Sequence, residues 1–418
     1  MNVLSPNISL RRSVSFFFSI FALLDIYASP FPGISIGELL LFFTFIYCAI
    51  KSNGFVFKIP FEFYPFFWLI LYGSLITIIV IAFNTWPDQN NMLYDAGSKI
   101  LFLIILLVGI KYIDVKYLSN YIGKVADIVC AFFFIQLILG YLGIRISGII
   151  PGLPLSNTVD SSDFINRQLE SERICSFFSE PAHLCQFLIL PICLASYGKY
   201  KNKKRFFLYG ATLFLSGSAN GYALIALIIM GLLLRKCLSI RSRVLRIFSI
   251  SAISLMLFIS VTYITLLFPD ITRRFTEISG NVSAYSTNGM SSYVRVLRGY
   301  SLYESFPLVG KLFGEGFGCI QSYADSHNTS YFYLTSILPD YVNSIQYVLI
   351  CTGFIGFILL LRQFYVIYIN SLIEYKLSIA CLFMMMFSAT VLFSYLSIII
   401  LVSAYGSHSK NIRHYSML

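Results

Sequence analysis

Charge is scarce in this chain. Only 12% of its 418 residues are Asp, Glu, Lys or Arg, against roughly 25% in soluble domains. With 57% hydrophobic residues and a mean hydropathy of +0.78, that shortage excludes a soluble globular domain. Histidine is rarer still, at four residues, so any imidazole chemistry falls on very few positions. The nine cysteines are scattered through apolar stretches without the close pairing of a zinc or disulfide framework, and they read as small core residues. No internal repeat is visible, which argues against the transporter architectures built on repeat symmetry. The first apolar run, from about Val14, follows Arg11 and Arg12 without a small-residue cleavage site and is expected to be a retained helix.

What is present is a succession of apolar runs. They lie near 13–29, 35–50, 63–83, 97–111, 123–144, 182–198, 206–218, 220–234, 246–268 and 343–361, with a final stretch at 377–404 that is either one tilted helix or two short ones. Their lengths suit a hydrocarbon core of roughly 30 Å, so the expected fold is an all-α polytopic membrane protein of about ten to twelve crossings. The formal charge of +11 does not point to nucleic acid, because the cations sit between the runs in alternate loops. Examples are Arg11 and Arg12, Lys111 and Lys116, Lys199 to Arg205, Arg235 to Arg246, and Arg362 with Lys376. That alternation is the positive-inside pattern and places these loops in the cytoplasm. The stretch 206–234 has positive charge on both sides and reads as a helical hairpin turning at "SGSANGY", 216–222, whose small residues suit close packing.

Two connections are much longer than the rest, at about 145–182 and 269–342, and both fall on the outer face. The second is rich in Tyr and Phe and carries "GEGFG" at 314–318, so it is expected to fold, as short amphipathic helices on the membrane surface. Seven of the external cations are arginines: Arg145, Arg167, Arg173, Arg273, Arg274, Arg295 and Arg298. Lysine is almost confined to the other side, with Lys99 and Lys311 as exceptions. A guanidinium presents a planar fork of donors to phosphate or carboxylate where an ammonium is a point charge, so this selection points to oriented oxyanion binding; ion pairing within the loops is the plainer alternative.

Within "SSYVRVLRGYSLYESFPLVG", 291–310, no helix breaker precedes Gly299, so the start is expected to be helical with Arg295 and Arg298 on one face, spaced to clamp a pyrophosphate. "SHNTSYFYL", 326–334, sets His327 and Asn328 ahead of an aromatic run, where His327 is either a structural hydrogen-bonding residue or a proton acceptor. "RICSFFSEPAHL", 173–184, holds Arg173, Glu180 and His183 just before an apolar helix. It also spells a helix start, with Ser179 as N-cap, Glu180 against the dipole and Pro181 in the first turn.

The order of these motifs resembles the O-antigen polymerase and O-antigen ligase superfamily. The likeness spans roughly 170–360: "RICSFFSEP" before a middle helix, a serine-glycine break in the next hairpin, external paired arginines, "FPLVGKLFGEGFG", "HN", and "GFIGF" at 353–357. Where many relatives carry an Arg after the break, this chain has Ala219 and Asn220, so no cationic role is transferred there. The resemblance implies a type-C glycosyltransferase fold in the bacterial inner membrane, with its site facing the periplasm. Its substrate would be an undecaprenyl-pyrophosphate-linked oligosaccharide held within membrane lipid, its partners a chain-length regulator and a flippase, and it would need neither metal nor other cofactor. Carried to this sequence, Glu180 or His327 would accept the acceptor hydroxyl's proton. Arg173, Arg295, Arg298, Asn328, Arg273 and Arg274 would bind pyrophosphate and glycan. Polymerase is favoured; the ligase, which transfers the glycan to lipid A core, and a flippase for the same lipid-linked sugars are the alternatives.

Overall fold

The computed structural model describes residues 8–24, 26–29, 35–51, 59–83, 89–149, 153–155, 174–240, 242, 244, 298–327 and 342–415. Among the described residues the structure is helical, and the extended pairings are isolated bridges of Tyr27 with Leu155 and Ala28 with Ser35. This is what apolar surroundings require, since a helix satisfies its backbone N–H and C=O groups internally. In chain order the helices are α1 Ile8–Leu24, α2 Ile36–Lys51, α3 Tyr64–Phe83, α4 Gln89–Tyr112, α5 Val115–Tyr141, α6 Pro181–Ser196 and α7 Lys203–Leu215. There follow α8 Ala219–Leu238, the short α9 Arg298–Ser305, α10 Leu308–Phe313 and α11 Cys319–Ser326, then α12 Ser344–Asn370, α13 Ile373–Met385 and α14 Tyr395–Tyr415.

Five of these are long and apolar enough to cross a membrane: α3 with the 3-10 turn before it, α4, α5, α8 and α12. Shorter apolar helices lie at Ile36–Cys48, Pro181–Ser196 and Tyr395–Ser407. The hairpin expected at 206–234 is present as α7 and α8, broken at residues 216–218. The ambiguous final stretch is two helices, α13 and α14, separated at 386–394. All nine cysteines are buried and free, as the sequence implied.

Long-range contacts define two ends of the bundle. At one, Arg12 Nε donates to Tyr121 Oη at 2.8 Å, Phe66 N to Gln363 Oε1 at 3.0 Å, and Leu372 N to Ser407 Oγ at 3.3 Å. The lysine-rich loop before α7 belongs to this end, where Arg205 meets Asp127. At the other, Asn343 Nδ2 donates to the Phe387 carbonyl at 2.9 Å, Ser388 Oγ to Asn220 Oδ1 at 3.4 Å, and Ser176 N to Gln136 Oε1 at 2.9 Å. The short helices α9 to α11 gather at this second end around their own buried cluster, in which Phe306, Phe317, Ile320 and Tyr323 pack with Met92 of α4 and Ile350 of α12.

Candidate functional site

The site begins with a break in α12. Gly353 has φ +62°, non-helical in the middle of an otherwise continuous helix, and so the carbonyls of the preceding turn are released from the helical ladder. The glycine loop 314–318 takes them up: Glu315 N donates to Ile350 O at 3.1 Å and Gly316 N to Cys351 O at 2.9 Å. Leaving two such carbonyls unpaired would cost about 2–6 kcal/mol, at 1–3 for each. The fit requires glycine on both partners. A Cβ on Gly314, whose φ is +82°, would stand 2.5 Å from Cys351 C and Thr352 N, and one on Gly353 would stand 2.5 Å from Gly314 N. The loop is fixed to α3 as well, by Phe317 N donating to Thr77 Oγ1 at 2.7 Å and Tyr72 Oη donating to Phe313 O at 2.9 Å. Irregular backbone of this kind is tolerated in apolar surroundings because protein covers it.

Titratable groups collect around this interlock. Asp95 of α4 pairs with Lys99 one turn on, Oδ1 to Nζ 2.7 Å, and its other oxygen accepts a short hydrogen bond from Tyr347 Oη of α12. The Lys99 ammonium stands 5.2 Å from the ring centres of both Tyr347 and Phe393, and its side chain is only 14% exposed. Glu315 projects from the loop into space that Gly310 leaves open. Burial raises its carboxyl above the ordinary carboxylate range, and the charge of His327 partly offsets this. His327 caps the end of α11, exposed, with its ring stacked on Tyr323 at 4.0 Å and Tyr323 in turn 4.3 Å from the Phe306 ring. A carboxyl tuned upward beside an imidazole is a pair suited to moving a proton near neutral pH.

The second element is the turn before α6. Ser176 is buried at φ +56°, an unusual conformation for a residue with a Cβ. Its N–H is held by Gln136 Oε1 and its hydroxyl donates to Val129 O at 2.8 Å. Phe177 stacks on Phe132 at 4.4 Å and Phe178 lies 5.3 Å from Phe187, so aromatic packing seats the turn on α5 and α6. The expected cap is displaced by one residue: Glu180, not Ser179, is the N-cap, with Pro181 directly after it. The Ser179 hydroxyl is instead 2.7 Å from His183 Nδ1, and the half-buried Glu180 side chain forms no capping bond.

Of the residues expected at the site, Glu180 and His327 are placed at this end of the bundle, in separate parts of it. Arg173, Arg273, Arg274, Arg295 and Asn328 lie outside the described residues. Arg298 opens α9, and only its backbone is described; Gly299, next to it, packs so closely on Gln346 at the start of α12 that a Cβ would come within 2.7 Å of Oε1. The helix runs through Gly299, whose missing side chain allows this contact, and the helical expectation for 291–297 lies outside the described residues. Sequence reasoning passed over Glu315 and the Asp95–Lys99–Tyr347 group. The glycines flanking Glu315, and Lys99 as one of two lysines on the arginine side, were the available signals. Among the described residues no cluster of three or more His, Cys, Asp or Glu is arranged to hold a metal.

The class these features define is an all-α chain with several membrane-length apolar helices and a polar, glycine-locked site at one end. No family model matches the chain, and no curated protein matches it.

Proposed function

We propose that the protein is a polysaccharide polymerase of O-antigen or capsule type in the bacterial inner membrane, with about ten to twelve crossings and a type-C glycosyltransferase-like fold. It moves a growing glycan from undecaprenyl pyrophosphate to a hydroxyl of the next lipid-linked repeat unit. The glycine-loop end, with both long loops, faces the periplasm, and the lysine-rich end faces the cytoplasm.

The observation that carries this reading is that "GEGFG" and "GFIGF", two of the motifs on which the resemblance rests, form one interlocked unit, with Glu315 and His327 beside it. Glu315 or Glu180 accepts the acceptor hydroxyl's proton, with His327 setting the charge next to Glu315. Arg173, Arg295 and Arg298, with Arg273, Arg274 and Asn328, neutralise the leaving pyrophosphate and hold the glycan, and the surrounding tyrosines and phenylalanines stack on sugar faces.

The test uses purified protein and defined undecaprenyl-pyrophosphate repeat units. Polymer should form without added metal, Glu315→Gln and Glu180→Gln should each reduce chain extension at unchanged abundance, and Lys should not replace Arg295 or Arg298. Transfer to lipid A core with no self-extension would instead make it the ligase, and passage of the intact lipid-linked unit across a vesicle would make it a flippase.

A further inference from the structure

At the lysine-rich end, far from the glycine loop, α5, α6 and α7 enclose a cleft of about 290 Å³. Its lining includes Lys116, Asn120 and Arg205 and, from α6, Pro191, Leu194 and Ala195. Arg205 is held in place by its own partners. Its Nε and Nη2 donate to Asp127 Oδ2 at 3.0 and 2.6 Å, and Tyr209 Oη completes the carboxylate by donating to Oδ1 at 2.7 Å. That leaves Nη1, which lies against Gly123 so closely that a Cβ there would come within 3.0 Å. The Lys116 side chain is exposed and forms no ion pair among the described residues. Asp127 satisfies one edge of the guanidinium, and the carboxylates of Asp114 and Glu374 bear electrostatically on Tyr200 at the cleft wall. Against them stand the exposed lysines Lys199, Lys201, Lys203 and Lys204 of the adjoining loop.

We infer that this cleft binds the phosphate of an anionic membrane phospholipid. A pre-oriented guanidinium edge and an unpaired ammonium are the donors a phosphodiester needs, and a basic pocket between helix ends is where such headgroups are recognised. The apolar part of the lining selects the lipid over a free phosphate: the side chains of Pro191, Leu194 and Ala195 offer no polar group, but they suit a glycerol backbone and the first methylenes of its acyl chains. The volume fits a headgroup and leaves the tails in the surrounding membrane. The inference is independent of the polymerase reading, since it uses neither the glycine loop nor the lipid-linked sugar.

The test is a titration of the purified full-length chain in neutral detergent with dihexanoyl phosphatidylglycerol, dihexanoyl phosphatidylcholine and glycerol 3-phosphate. Phosphatidylglycerol should bind saturably and the other two weakly or not at all. Lys116→Gln should weaken phosphatidylglycerol about fivefold, equivalent to ~1 kcal/mol for one basic side chain near a lipid surface. Asn120→Asp, which sets a like charge at the mouth, should weaken it at least as much. Both side chains are exposed, so each variant should elute and melt as the parent does without lipid. Equal binding of glycerol 3-phosphate would overturn the lipid in favour of a soluble phosphate ligand. Absence of saturable phosphatidylglycerol binding, or binding unchanged in both variants, would remove the site.

Discussion

The two ends of the bundle hold themselves together in different ways. At the lysine-rich end side chains do much of the joining, as in Arg205–Asp127–Tyr209 and Arg12–Tyr121. At the other end the backbone takes a share of the work: the Gly314 loop fills the break at Gly353 and Ser176 takes a left-handed turn, while the side chains of Asn220 and Ser388 join the breaks at 216–218 and 386–394. A regular helix spends its backbone donors and acceptors on itself, so a chain that is to place backbone and carboxylates at a fixed point in apolar surroundings has to interrupt helices and cover the interruptions with protein. The end with the interruptions also holds the more buried ion pair, Lys99 with Asp95 at 14% and 26% exposed against Arg205 with Asp127 at 32% and 35%.

The sharpest way to break this contrast is at Gly353. Gly353→Val should prevent the loop from docking and cost more than about 4 kcal/mol, beyond the usual range for one substitution, so that little monodisperse protein is recovered by size-exclusion chromatography. Gly97→Ala, where a Cβ meets nothing within 4 Å, should behave as the parent. Phe317→Ala comes next. This fully buried ring fills the space between α3 and the loop, and its loss should cost about 3–5 kcal/mol, read as a lower melting temperature, with Phe317→Leu milder.

A matched pair of charge removals sharpens the comparison. Asp95→Asn leaves the Lys99 ammonium unpaired with its side chain 14% exposed and should cost about 3 kcal/mol. Asp127→Asn strands Arg205, whose side chain is 32% exposed, and solvent should hold the cost to about 1 kcal/mol. Equal costs would mean that the two ends do not differ in burial where it counts.

A pH effect should appear at the glycine-loop end. Because burial raises the folded-state pKa of Glu315, the protonated form favours the native state. Stability from this group is therefore fully present below the ordinary carboxylate range and is lost as pH rises through the elevated value. Glu315→Gln should flatten that part of the pH–stability curve, measured by thermal unfolding between acid and neutral pH, and a variant with the parent's slope would discount the group. The smallest effect belongs to Glu180→Ala. Without a capping bond to lose, melting should change by less than about 1 kcal/mol.

The hairpin at 206–234 was legible in the sequence because a membrane helix announces itself through local hydropathy, and its turn through small residues between cationic flanks. The position of the α6 cap was not. Ser179 and Glu180 both suit a helix start, and the choice fell to the aromatic seating of Phe177 and Phe178 and to the pairing of Ser179 with His183. Glu315 likewise read as one acidic residue in a glycine-rich loop until the break at Gly353 gave that loop a place to dock.

The sequence by itself determined the all-α membrane class and the break in the hairpin at 206–234, since each is set by composition over one helix length. Only the tertiary structure decided which breaks meet and which charges pair, such as Asp95 with Tyr347 or Asp127 with Arg205. Lipid is as apolar as a neighbouring helix, so hydropathy carries no record of which faces touch, and partners are chosen by close packing and hydrogen bonds that exist only once the helices are side by side.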